Sequence, residues 1–217
     1  MEVTYKSQLL TMQNLQIFPE ITVYHQHDLE QMLRSNYPNR NEKYYYILLK
    51  AREHLIKTSS KLSLTAEAII KDSESARPTW YTYFKSVEGY YKEVLEILGN
   101  VMMEYAFAYL RANATYKDWI LVSHSLKMMV FLSNTRNLVG FYPALKKQWY
   151  HIYDNVIEEY ASILSPILKL SPRRAQLFMK NIANEMILHP DIYHTDLDLF
   201  ERFVNREYIL FLAEQNS

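Results

Sequence analysis

The stretch "SARPTWYTYFKS", residues 75–86, crowds Trp80, Tyr81, Tyr83 and Phe84 into five positions. Thr79 and Thr82 alternate with them, and Arg77 and Lys85 flank the group. Proline is tolerated in the first turn of a helix, so Pro78 lets a short helix begin near Arg77. Residues four apart share a helical face, which puts Trp80 beside Phe84 as an apolar anchor. Arg77, Thr79, Tyr81, Thr82, Tyr83 and Lys85 are left with hydroxyls or charges to present. An ordinary aromatic core helix is the plain alternative, but its aromatics would keep to one face.

The residues just upstream give the stretch a context. Thr65 is a good N-cap, "AEAIIKD" is a short helix, and "SESA" is a turn. Before them, "EKYYYILLKAREHLIKTSS" puts Tyr44, Ile47, Ala51 and Leu55 on one helical face. Two short helices joined by a turn of three or four residues form the helix-turn-helix pattern of DNA-binding proteins. Side chains of the kinds carried at 77–85 bond phosphate oxygens and base edges in a major groove. Residues 41–87 contain 8 basic and 5 acidic residues, an excess of the sign that phosphates require.

"LTAEAIIKDSESARPTWYTYFKSVE", residues 64–88, resembles the DNA-binding signature of TetR-type transcriptional regulators. Thr65 stands where that signature opens its second helix, Ile69-Ile70 takes the Ile-Ala place, and Tyr81-Thr82-Tyr83-Phe84 matches the closing Tyr-x-Tyr-Phe. "ILLKAREHLI", residues 47–56, resembles the family's first helix, and the likeness covers about residues 44–95. Glu74 replaces the usual turn glycine, Ser75 the usual apolar turn residue, and Val87 a frequent phosphate-contacting lysine. The resemblance implies an all-α chain with an N-terminal helix-turn-helix DNA-binding domain and a C-terminal helical ligand-binding and dimerisation domain. It implies a repressor that binds a near-palindromic double-stranded DNA operator as a homodimer. A small hydrophobic effector would release it by shifting the helix that starts near Val87. The expected division is 1–40 as an N-terminal extension, 41–90 as the DNA-binding domain and 91–217 as the regulatory domain. A protein-interaction module of the same fold, with weak or lost DNA binding, is the alternative.

Composition agrees with a helical chain. Only 3 glycines occur in 217 residues, fewer than strands joined by tight turns usually need. Apolar residues reach 49 %, enough for a real core. There are no cysteines, which excludes disulfides and thiolate metal sites. With no signal-peptide pattern and no membrane-spanning run, a cytoplasmic protein is expected. Serine-hydrolase, phosphate-loop and zinc-protease motifs are all missing, so neither an enzyme nor a cofactor is expected. "HQHD", residues 25–28, and the His151, Asp154, Glu158 stripe read as solvated polar groups rather than metal sites.

"LQIFPEITVYHQHD", residues 15–28, alternates loosely and fits a short strand or extended arm. Beyond Val87 the pattern predicts helices near 87–110, 116–135, 144–169, 172–188 and 196–214, with a break from Gly140 to Pro143. His124, Met128, Phe131 and Trp149 are the candidate walls of an effector pocket, because flexible methionine and flat aromatics suit a hydrophobic ligand. Phe178, Ile182 and Met186, together with Phe200, Val204 and Phe211, are more apolar surface than one helix layer buries. That excess predicts a homodimer through the last two helices.

Overall fold

The computed structural model of the chain describes residues 18–57, 64–113, 115, 119–120, 123, 127–193 and 195–213. Side chains are described from residue 27 onward, Asn113 excepted. Among these residues every regular element is helical. Helix α1 spans Phe18–Asn36, α2 Glu42–Leu55, α3 Ala66–Asp72 and α4 Arg77–Phe84. Helix α5, Val87–Glu93, runs without a break through a π-helical segment, Val94–Gly99, into α6, Asn100–Asn113. There follow α7, Met128–Phe141, α8, Lys146–Leu168, α9, Pro172–Leu188, the short α10, Pro190–Tyr193, and α11, Leu197–Ala213. No helix among the described residues is long and apolar enough to cross a membrane.

The core is an antiparallel helix stack. In α8 the buried positions Trp149, Ile152, Val156, Tyr160 and Leu164 recur every three or four residues, the stripe of a helix with one face inward. In α9 the matching stripe is Ala175, Phe178, Ile182 and Met186. These two helices make the most extensive contact in the molecule, with α6 and α7 packed against them. In α2, Tyr44, Ile47, Ala51 and Leu55 are all buried, as their spacing requires.

Two expectations change. Residues 18–28 are helical, not a strand or arm. Pro19 falls in the first turn, where its missing N–H costs nothing, and Leu29 and Leu33, one turn apart, are buried. The helix expected over 116–135 is interrupted, because Lys127 adopts a left-handed conformation (φ 52°) and α7 starts only at Met128. It ends at Phe141, within the break expected from Gly140 to Pro143, and a side chain added at Gly140 would meet nothing within 4 Å.

The apolar excess assigned to a partner is covered within the chain. Phe178, Ile182, Met186, Phe200 and Val204 are all buried. Phe211 is half-buried and meets Phe178 edge-on at 5.5 Å between ring centroids. The packing of α9 against α8, α7 and α11 encloses these side chains.

One glycine is required by space. A Cβ on Gly89 would lie 2.2 Å from the backbone oxygen of Phe84, and a main-chain carbonyl cannot swing aside as a side chain can. Helix propensity alone favours Gly89→Ala by about 1 kcal/mol. The clash reverses the sign, and the variant is expected to be destabilised by about 1–3 kcal/mol, measured as a lower midpoint in chemical denaturation.

Candidate nucleic-acid interface

The region builds outward from the start of α2. Asn41 caps that helix, its Oδ1 accepting the Tyr44 N–H at 3.0 Å. The same oxygen accepts the Tyr83 hydroxyl at 2.6 Å, so one cap also ties down α4. Tyr44 stacks on Phe84 at 5.7 Å and donates its hydroxyl to Glu93 of α5. Burial, reinforced by that carboxylate, pushes the Tyr44 hydroxyl well above its ordinary pKa. It remains a donor throughout the physiological range.

Helix α3 opens as its sequence suggests: Thr65 Oγ1 accepts the Ala68 N–H at 3.3 Å. Its end is a Schellman motif. The Ser75 N–H donates to Ile70 O and the Glu74 N–H to Lys71 O, both at 3.1 Å. That closure needs a left-handed residue after the cap, and Glu74 supplies it with φ 48°. Glycine is the usual occupant because it lacks a Cβ. Here α2 holds the strained residue in place. Lys43 Nζ donates to Glu74 O at 3.0 Å, the Tyr46 hydroxyl donates to Glu74 Oε2 at 2.5 Å, and Lys50 Nζ lies 4.0 Å from Oε1. The Tyr46 hydrogen bond, then the Lys50 charge, keep the Glu74 carboxyl below the usual carboxylate range. A lowered folded-state pKa means this contact is fully present at neutral pH and fades as pH falls through that value. Ser75 gives the turn a polar lock, with its Oγ 2.9 Å from the Ser73 Oγ.

Helix α4 sorts its residues by face. Trp80 and Phe84 are buried and meet Tyr90 of α5 at 5.8 Å and 5.1 Å between ring centroids. Pro78, Tyr81, Thr82 and Lys85 are exposed, and their spacing of three and four places them in one outward stripe. Arg77 is exposed beside them, 3.2 Å from Glu67 of α3, with its guanidinium 5.7 Å from the Tyr81 ring centre. Thr82 donates its hydroxyl back to Pro78 O at 2.9 Å, which leaves the oxygen free to accept. Thr79 and Tyr83 are half-buried.

The outward stripe therefore brings together Arg77, Tyr81, Thr82 and Lys85. Thr65 is exposed at the start of α3, while Tyr83 spends its hydroxyl within the chain. Asn41 and Gly89 carry as much of the local geometry as any residue singled out in the sequence. Asn-Glu at the head of an apolar-periodic segment is a readable capping signal, but nothing local marks Gly89 as a backbone contact.

The proposed pocket walls lie elsewhere. Met128, Phe131 and Trp149 are buried, and the Trp149 indole N–H donates to Leu132 O at 3.0 Å. His124 lies outside the described residues. A cavity of about 20 Å³, room for roughly one water, sits between α2, α3 and α5 beside Leu55, Ile69 and Tyr91. A shallow groove of about 560 Å³ runs along α1 and α2, lined by residues that include Arg34, Glu42, Tyr46 and Glu53. Neither is bounded by Met128, Phe131 or Trp149.

Comparison with family models, with curated proteins and with solved structures gave no significant match.

The geometry separates two tyrosines that look equivalent in sequence. Tyr83→Phe removes the hydrogen bond to Asn41 and is expected to lower stability by about 0.5–1.5 kcal/mol. Tyr81→Phe is expected to leave the denaturation midpoint unchanged. Urea unfolding of the two variants side by side checks the assignment.

Proposed function

We propose that the chain is a ligand-responsive transcriptional regulator of TetR type, a repressor that reads a near-palindromic double-stranded DNA operator through α3 and α4. The observation that carries this reading is the two-sided character of α4. Its Trp80–Phe84 face is sunk into an aromatic cluster, and its opposite face offers Arg77, Tyr81, Thr82 and Lys85. A short helix held rigidly by one face and polar on the other suits insertion into a major groove. The closed turn before it fixes the angle between α3 and α4.

The reading extends to assembly and regulation. Leu177 on α9 and Ile209 and Leu210 on α11 are 50, 49 and 51 % exposed, a surface on which two copies can pair as a homodimer. The unbroken path α5–π–α6 leads from the end of α4 into the helical core, and π-helical segments often mark functional positions. A hydrophobic effector that displaced this rod would move α4 and oppose DNA binding through one two-state equilibrium. With His124, Met128, Phe131 and Trp149 as its walls, such an effector would need to part side chains that are packed where they are described.

A second reading is favoured by one feature. The Glu74 carboxylate is exposed at the turn, and Glu67 engages Arg77, so acidic groups stand where phosphates would approach. A protein-interaction module that retains the fold but not tight DNA binding accommodates them.

The two readings part in a mobility-shift titration with the DNA upstream of the chain's own gene, across salt concentrations. The regulator reading expects a specific complex whose affinity falls steeply with salt. It also expects Arg77→Ala and Tyr81→Phe each to weaken the complex by about 1–3 kcal/mol. No specific complex at low salt, or unchanged binding in both variants, favours the interaction module. The assembly is checked by light scattering at micromolar concentration, where the chain is expected as a dimer and Leu210→Glu as a monomer.

A further inference from the structure

Helices α2 and α7 pack together, and each carries a cation that has no ion-pair partner among the described residues. Arg52 lies on the buried face of α2 and is 2 % exposed. Its Nε and Nη2 have no hydrogen-bond partner. Lys127, half-buried, stands at the N-cap of α7. Among the described residues no carboxylate forms an ion pair with either cation. The adjacent Glu53 is taken by Lys50, 3.1 Å away. The junction itself is fixed: Asn134 of α7 donates from Nδ2 to Leu55 O at 2.6 Å and Lys57 O at 3.1 Å. That bond pins the end of α2, one turn beyond Arg52.

A buried guanidinium with vacant donors is among the costliest groups a protein can hold. Burial pushes the Arg52 pKa down to about 10. The Lys127 ammonium is also lowered, by burial first and by the Arg52 charge second. The first turn of α7 has no side-chain cap, and the positive end of its dipole lies beside Lys127. Everything assembled here favours a negative charge.

We propose that Arg52, Lys127 and the uncapped N-terminus of α7 form a binding site for one oxyanion, the carboxylate or phosphate group of a small molecule. The guanidinium presents two donors in a planar fork matched to such a group. The half-buried lysine adds a point charge. The site is distinct from the α4 surface and from the walls suggested for a hydrophobic effector. It asks nothing of the DNA reading, because it stands or falls by anion binding to the chain alone.

The test is thermal unfolding of the full chain titrated with sodium phosphate and, separately, sodium acetate, each against sodium chloride at matched ionic strength. A saturable rise in Tm beyond that in chloride is expected, since a ligand bound only by the folded state stabilises it by mass action. A response to phosphate alone or acetate alone supports the site and identifies the head group. Arg52→Met is expected to abolish the rise and to melt higher than the parent without added anion, because the vacant charge is gone. Lys127→Asn, which tolerates the left-handed backbone, is expected to weaken anion binding at least tenfold by calorimetric titration. It carries the test if Arg52→Met does not fold. No rise beyond chloride, or an equal rise in the parent and in Lys127→Asn, overturns the proposal.

Discussion

The carbonyl oxygen of Phe84 stands 2.2 Å from the place where a side chain on residue 89 would begin. That close approach lets α5 start immediately after α4 and turn away from it. Ser86 completes the corner, its N–H reaching Phe84 O at 2.6 Å and its Oγ capping Gly89 N at 3.0 Å. With the corner tight, Phe84 meets Tyr90 edge-on at 5.1 Å and Trp80 lies against both rings. The orientation of α4, and so the identity of its exposed face, follows from this one contact. Offset and edge-on aromatic pairs of this kind add specificity of geometry to the area they bury.

Helix α2 is the platform on which that geometry rests. It reaches α4 through the Asn41 cap and the Tyr44–Phe84 stack. It reaches the turn through Lys43, Tyr46 and Lys50, which hold Glu74. It reaches the helical core through Asn134 of α7, which takes its last carbonyls. The same helix buries Arg52 at that last contact, so a charge placed there acts on an element that also positions the turn and α4. A buried Arg52 and a strained Glu74 are thus two loads on one beam.

Glu74 illustrates how a departure from a motif can be absorbed. A left-handed backbone at a non-glycine residue is strained, yet a polar residue there can be held from outside the turn, and three α2 side chains do so. The substitution that looks adverse in isolation becomes a tether between α2 and the turn. Its carboxylate remains on the surface that the DNA reading assigns to phosphates, which is why that residue bears on both functional readings.

Periodicity and capping chemistry by themselves determined much of the fold. They made the chain helical and placed the Tyr44–Leu55 face inward. They opened α3 at Thr65 and paired Trp80 with Phe84 on the hidden side of α4, because each of these depends on residues within one or two turns. Tertiary structure decided the rest. Residues 18–28 became helix because burial of Leu29 and Leu33 outweighed a loose alternation. Phe178, Ile182, Phe200 and Val204, apolar enough to suggest a partner, were covered by their own chain because α9 packs against α8, α7 and α11, a fact that no single helix reveals. The Tyr83 hydroxyl turned inward because Asn41, 42 residues earlier, lies within reach only after α2 and α4 have met. The buried, unpartnered Arg52 was likewise invisible in "LLKAREHL", where an arginine beside a glutamate reads as a solvated pair until packing removes the water from one of them.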